Sequence, residues 1–362
     1  GNIASKACEE DLEHANELRS EKLPLRGPPQ AGFLAGVSGA GFMVIAILAE
    51  VVQQEVIQSS ENNGTMKASL ISWFNNTCLL IAGSLTACML QFMRTRSISP
   101  VEMWSFFLEK QDWTAPKAVA YVFILSILFL IPNLAWNATL KSVAIPLVSA
   151  ANRFDSMFVL TFTSFLTRKA PPLPQVFSVL ACILGLILIV IGKQSEDNDS
   201  YMGHPGIGEC FAVLISPCFD ALFYIAFSKL TKDCSTDPEC MCILLSLIGL
   251  SNLLFLWPVV PIFESAGLDG ESFQQVLNVE GMKSMVLAAG FATLANFTQL
   301  PALALTSPLF FSLAMVLVLP CSIAIDAAML HHTSINAWII CGSLTAMVGF
   351  CSSTLLNASR EV

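Results

Sequence analysis

Polar and apolar positions along this chain fall into long blocks, not into the short alternation of a soluble fold. Apolar runs of roughly 20 residues recur. A membrane-spanning helix needs about that many, because lipid offers the backbone no hydrogen-bond partner. The runs predict spans at 33–53, 67–93, 118–140, 143–167, 173–192, 206–228, 240–263, 282–304, 308–330 and 335–356. The connections at 140/143 and 304/308 are very short. Residues 1–30 are polar, with Glu9, Glu10, Asp11, Glu13 and Glu17, and read as a tail. The first span is too long for a cleaved signal peptide and has no basic segment directly before a short apolar core. The expected fold class is an all-α polytopic membrane protein with ten transmembrane helices.

Charge orients these spans. With the N-terminus in the cytosol, cytosolic tails and connections hold Lys6, Arg19, Lys22, Arg26, Arg94, Arg96, Lys110, Lys117, Arg168, Lys169, Lys229, Lys232 and Arg360. That is thirteen of the eighteen basic residues, against Lys67, Lys141, Lys193 and Lys283 at outer ends. The bias follows the positive-inside rule and would collapse with one span fewer. The glycosylation sequons at Asn63 and Asn198 both fall in loops placed outside. Those at Asn75, Asn137 and Asn296 lie in or against the membrane, and that at Asn357 is cytosolic. Both termini are expected in the cytosol, in the plasma membrane or a secretory-pathway membrane.

Ten spans divide into two sets of five. A five-span unit duplicated in tandem inserts its second copy upside down, which is the inverted repeat of many secondary transporters. A faint echo supports the division: Leu140–Pro146 precedes the fourth span as Leu303–Pro308 precedes the ninth. The expected organisation is a tail at 1–30, a first five-helix repeat at 31–193, an external loop at 194–205, a second repeat at 206–356 and a cytosolic tail at 357–362.

Composition narrows the function. The chain is 54% hydrophobic and only 12% charged, where a soluble domain carries about 25% charged residues. A net charge of −9 argues against nucleic acid as a partner. Four histidines, including the adjacent His331 and His332, leave little material for a metal centre. Most of the twelve cysteines lie in apolar runs, where they act as small apolar residues. Cys234, Cys240 and Cys242 cluster near one connection placed in the reducing cytosol, so no disulfide framework is expected. No cofactor is expected.

Ionisable groups inside spans are costly and face a cavity or a partner. The fourth span is densest in them, with Ser149, Asn152, Arg153, Asp155 and Ser156. Ser149, Asn152 and Ser156 share a helical face, whereas Arg153 and Asp155, two apart, do not face each other. Asn133 and Asn137 share a face of the third span, Asn75 and Asn76 polarise the second, Asp220 with Tyr224 marks the sixth, and Asn296 with Gln299 the eighth. Single Asn and Ser residues also serve as interhelical hydrogen-bonding groups. Arg153 needs an anion or a wet cavity; Asp220 and Asp326 are the acids expected to pair with it, and Glu50 is placed near the outer end of its span, within reach of water. Substrate-binding candidates are therefore Arg153, Asn152, Ser149, Asp155, Ser156, Asn133, Asn137, Asn76, Asp220, Tyr224, Asn296 and Gln299.

Several stretches resemble a known family. Asn133–Lys193 is similar to the third-to-fifth-span unit of the drug/metabolite transporter superfamily, through Leu140-Lys141-Ser142-Val143, the Arg168-Lys169 turn and Gly185 with Gly192. The second half resembles the F-type branch of the nucleotide-sugar-transporter-like solute carriers, through Gly206–Tyr224, Gly249–Pro258, and Pro320-Cys321-Ser322 with Asp326. The resemblance implies a ten-helix carrier alternating access between the two membrane faces. The first four helices of each half would line the cavity, with the fifth and tenth supporting it. The paired aromatic-Asn-Asn pattern associated with nucleotide-sugar carriers is missing. F-type relatives are linked to vitamins or nucleobase-like compounds.

The chain begins Gly1-Asn2-Ile3-Ala4-Ser5-Lys6, with Cys8 close behind. That order suits N-myristoylation of Gly1 and palmitoylation of Cys8, two acyl chains together holding a tail firmly to a membrane. The expected function is secondary transport of a small organic solute, with Arg153 favouring an anionic one. The bilayer is the other partner, and a homodimer is compatible with the pattern. No His-Glu-x-x-His helix or Gly-x-Ser-x-Gly motif suggests an enzyme. The competing reading is a non-transporting membrane scaffold or receptor docked through the lipidated tail.

Overall fold

The computed structural model describes residues 29–61, 68–139, 150–194, 207–231, 237–265, 279–325 and 337–361. Contacts divide the chain into a unit up to Ser38 and a compact unit from Gly39 to Val362. The first unit's described part is the beginning of α1, and all packing below concerns the second. Ser149, Asp326, His331, His332, Gly1, Cys8, Asn63 and Asn198 lie outside the described residues, as does the side chain of Asn137.

Every element among the described residues is helical. In chain order they are α1 (Pro29–Glu61), α2 (Ala68–Thr95), α3 (Pro100–Gln111), α4 (Ala115–Thr139), α5 (Asp155–Thr167), α6 (Leu173–Gln194) and α7 (Ile207–Leu230). There follow α8 (Pro238–Phe255), α9 (Val259–Ser265), α10 (Val279–Leu305), α11 (Pro308–Met315), α12 (Val318–Ile325) and α13 (Ala337–Glu361). Six helical stretches are long and apolar enough to cross a membrane, within α2, α4, α6, α7, α8 and α10. Shorter apolar stretches occupy Ser38–Gln53, Pro308–Cys321 and Ala337–Ser352.

Many large apolar side chains among the described residues are exposed. On α2, Ile81, Leu85 and Met89 follow one another at four-residue spacing and are 61%, 68% and 64% exposed. Residues four apart share a helix face, so this is a continuous outward stripe suited to lipid. Leu180 and Leu184 make a similar stripe on α6.

Inside, small residues let helices approach to backbone contact. A Cβ on Gly83 of α2 would stand 2.7 Å from the Ser246 backbone nitrogen, and one on Gly249 of α8 would stand 2.3 Å from that of Leu80. The contact is reciprocal: each glycine meets the residue three before the other, so the helices run antiparallel. Asn252 Nδ2 donates to the Trp73 carbonyl and to Thr77 Oγ1, each at 2.8 Å, while Trp73 Nε1 donates to the Asn252 carbonyl at 3.2 Å. The Ser84 and Ser246 hydroxyls meet at 2.5 Å. Helices α6 and α13 repeat the arrangement: Gly349 packs on Cys182, Gly342 on Ile189, and the Ser178 and Ser352 hydroxyls stand 3.1 Å apart.

Three predicted spans are interrupted. The ninth breaks at Val316 and Leu317, between α11 and α12. Pro320 explains it: with no N–H, proline cannot bond the carbonyl four residues back, and its ring crowds that position. The seventh breaks at Leu256–Pro258 for a related reason, Pro258 ending α8 before the short α9. The described part of the fourth span breaks at Arg153 and Phe154, just before α5, and no proline follows to cause it. Ser156 Oγ donates to the freed Arg153 carbonyl at 3.3 Å.

Two further departures concern the connections. Residues 100–111, part of the connection between the second and third predicted spans, form α3. Ser99 caps it by accepting from the Glu102 N–H at 3.4 Å, and Pro100 fills the first turn, a helix-start signature legible in the sequence. Cys240, expected reduced, is disulfide-bonded. It lies in the first turn of α8, which Asp237 fixes by accepting from the Glu239 and Cys240 N–H groups.

Candidate functional site

A cavity of about 90 Å³ lies within the bundle, lined by α1, α2, α4, the Asn152–Arg153 turn, α7, α10 and α11. Among the described residues, none of its lining side chains comes from α6, α8 or α13. The walls combine polar groups with a dense aromatic surface, the usual make-up of a small-molecule site.

Arg153 is the fixed point of the polar wall. Its guanidinium is 5% exposed and forms an ion pair with Glu50 of α1. Gln299 Nε2 of α10 donates to the other Glu50 oxygen at 3.0 Å. Helices α1 and α10 and the break before α5 are thus tied together through one carboxylate. The partner expected for Arg153 was Asp220 or Asp326, and Glu50 was placed near water. The structure corrects both: Glu50 faces inward and supplies the charge. The break explains part of the error, because a helical wheel through 153 has no meaning where the helix is interrupted.

Asp220 of α7 also lines the cavity. The Asn152 side chain hydrogen-bonds it, and among the described residues no Lys or Arg makes an ion pair with it. Ser216, one turn earlier, stands 2.7 Å from Asn152 Oδ1 and 3.0 Å from the Pro132 carbonyl. Asn133 lines the wall from α4 while its Nδ2 bonds back to the Phe129 carbonyl at 2.8 Å. Asn75 of α2 is 5% exposed, and its Oδ1 has no hydrogen-bond partner among the described residues.

The aromatic wall is continuous. Phe129 lies 5.0 Å from Phe223, Phe223 lies 6.1 Å from Tyr224, and Tyr224 meets Phe311 edge-on at 5.1 Å. Their chain neighbours Ile225 and Phe310 line a second pocket, of about 1060 Å³, which also carries Lys169, Lys229 and Gln175. Tyr224 and Phe311 thus line the cavity while their chain neighbours line the second pocket.

Of the residues singled out from sequence, the cavity gathers Arg153, Asn152, Asn133, Asp220, Tyr224, Asn296 and Gln299. It does not include Asn76, Asp155 or Ser156, all buried elsewhere at 1% exposure or less. On α2 the lining residue is Asn75, not its neighbour Asn76. Asp155 instead opens α5, where the partial positive charge of a helix N-terminus favours a carboxylate. Sequence reasoning missed Glu50, Ser216, Trp136 and the cavity's phenylalanines. Glu50 had a signal, being the one acid in an apolar run of some twenty residues; the phenylalanines had none, since aromatic residues fill every span.

No family model matches the chain. An uncharacterized transporter of Schizosaccharomyces pombe is 25% identical over 62% of this chain and 64% of its own length. The thiamine-repressible mitochondrial transport protein of Saccharomyces cerevisiae is 22% identical over 62% of this chain and 59% of its own. Solute carrier family 35 member F5 of Pongo abelii is 22% identical over 67% of this chain and 45% of its own. The matches thus span less than two thirds of each relative's length. A solved crystal structure, 14% identical, superposes with a TM-score of 0.59 over 91% of this chain and 99% of that one; at that identity the likeness concerns the fold alone. The resemblance to drug/metabolite transporters of the solute-carrier-35 type now rests on alignments as well as on short motifs. The chain is an integral membrane protein.

Proposed function

We propose that this chain is a secondary transporter that moves a small organic solute across a membrane by alternating access, with the solute bound in the Arg153–Glu50–Asp220 cavity. The observation that carries the reading is a buried, polar, charge-bearing cavity at the centre of a lipid-facing helical bundle. Ionisable groups inside a membrane protein are retained for function, and the aligned relatives include proteins named as transporters and solute carriers.

The proposed architecture is ten spans in two inverted five-helix repeats, 31–193 and 206–356. The reciprocal antiparallel contacts support it: α2 with α8 would be the second span of each repeat, and α6 with α13 the fifth. The breaks support it too. Arg153-Phe154 and Val316-Leu317 interrupt what would be the fourth span of each repeat, seven and eight residues after Pro146 and Pro308. Broken helices at the repeat interface are how transporters build midplane sites. Rocking of one repeat against the other would open the Tyr224–Phe311 contact toward the second pocket, placed by the basic residues at the cytosolic face. Both termini would be cytosolic and the loops at 54–66 and 194–205 external.

The test is flux. Purified protein in liposomes is screened with labelled vitamins, nucleobases, nucleotides and organic ions. A carrier takes up at least one solute, and Arg153→Ala, folded and inserted, loses that uptake. Product formation would make it an enzyme. Binding without flux would make it a receptor.

A further inference from the structure

Arg153 makes an anion the obvious solute. The placement of the acids argues otherwise. Among the described residues, the one guanidinium lining the cavity is already held by Glu50, with Gln299 steadying the carboxylate. An anion reaching Arg153 must displace Glu50 and leave a second buried negative charge without a partner, which the low-dielectric interior penalises heavily. A cation has to displace nothing. Asp220 faces the cavity with an amide hydrogen bond from Asn152 and feels the Arg153 charge at a distance, but among the described residues no cationic side chain forms an ion pair with it.

A second observation points the same way. Asn75, 5% exposed, lines the cavity with an Oδ1 that has no hydrogen-bond partner among the described residues. Nearly all buried polar atoms are hydrogen-bonded, so an orphan acceptor on a cavity wall marks where a donor belongs. The remaining wall is aromatic. Tyr224 and Phe223 follow Asp220 by one helical turn on α7, with Phe129 across from Phe223. Ring faces attract cations, most strongly where water is excluded.

We propose that the cavity binds an organic cation, an alkyl- or arylammonium or a heteroaromatic cation, with its positive centre against the Asp220 carboxylate, a donor toward Asn75 Oδ1 and its apolar body among Phe129, Phe223 and Tyr224. Glu50 and Arg153 form a neutral pair that ties helices together beside it. The inference rests on the proposed carrier function only in taking this cavity as the solute site. In this conformation, at about 90 Å³, the cavity takes the charged head of such a ligand.

The test uses the purified full chain. Thermal unfolding is followed with 10 mM methylammonium, benzylammonium or 4-aminopyridinium, each cationic with an N–H donor, and with acetate, benzoate or phosphate at matched ionic strength. At least one cation raises the Tm and the anions do not. Asp220→Asn, checked for monodispersity, requires at least tenfold more of that cation for the same shift. A readout that needs no variant runs beside it: dicyclohexylcarbodiimide modification of Asp220, followed by mass spectrometry, is slowed by the protecting cation and not by benzoate. Protection by anions alone, by nothing in either set, or by cations without effect on Asp220 reactivity overturns the proposal. Flux separates this from the carrier reading. A cation that binds but never crosses liposomes sinks the carrier and leaves the site, whereas flux of an anion with Asp220 unprotected by any cation does the reverse.

Discussion

Replacing Glu50 by Gln removes the counter-charge of Arg153 while keeping the shape and an acceptor for Gln299. Removing one partner of a buried ion pair costs about 3–5 kcal/mol, because the other charge stays buried and uncompensated. The Arg153 side chain is 5% exposed and that of Glu50 17%, opening on a cavity, so the lower end of that range, about 3 kcal/mol, applies. Arg153→Met costs about the same for the mirror reason, leaving the Glu50 carboxylate alone. Removing both charges removes both desolvation penalties, so the double variant Glu50→Gln/Arg153→Met loses only about 1–2 kcal/mol. Equilibrium unfolding in SDS-titrated mixed micelles, read by tryptophan fluorescence, measures all four proteins. The expected cycle is strongly non-additive, with a coupling of about 4 kcal/mol. Independent sites add to within about 0.5 kcal/mol; a double variant as unstable as the sum of the singles would show that the two side chains are not partners.

Gly249→Ala would place a Cβ 2.3 Å from the Leu80 backbone nitrogen, and backbone cannot yield as a flexible side chain does; the monodisperse yield falls severalfold, whereas Gly290→Ala, with nothing within 4 Å of the new Cβ, leaves it unchanged. Asn252→Ala deletes bonds to the Trp73 carbonyl and Thr77 at the α2–α8 contact and lowers stability by about 1 kcal/mol in the same unfolding assay. Single cysteines introduced at 63 and 198 react with an impermeant thiol reagent from the non-cytosolic side, and labelling of position 63 from the cytosolic side alone would contradict the proposed topology.

Much of the fold is written in the chain as apolar run length. That signal is strong because lipid punishes every unsatisfied backbone group, so the positions of spans follow from counting. Interruptions are legible only where proline causes them. Pro320 announces the break at Val316, while nothing of that kind announces the break at Arg153. Pairing across the bundle is harder still. Glu50 and Arg153 are 103 residues apart, and periodicity says which residues share a helix face, not which face meets which neighbour. The same gap explains Asn75 and Asn76: both are polar and adjacent, and only the packing of α2 decides which one reaches the cavity. Asp155 looked like a site residue because it stood beside Arg153 in the sequence, yet the break turns it into the start of α5.

The central claim is that the cavity opens to both sides of the membrane in turn. Ser216 lines it and is 2% exposed, so Ser216→Cys places a thiol where only an opened path can reach it. In sealed, uniformly oriented proteoliposomes an impermeant methanethiosulfonate reagent is expected to modify this cysteine when added outside and, in a separate sample, when trapped inside, with mass spectrometry of the peptide as the readout. Lipid-facing Leu85→Cys should stay unmodified from either side. Modification of position 216 from one side only, under every condition that preserves the fold, would contradict alternating access through this cavity.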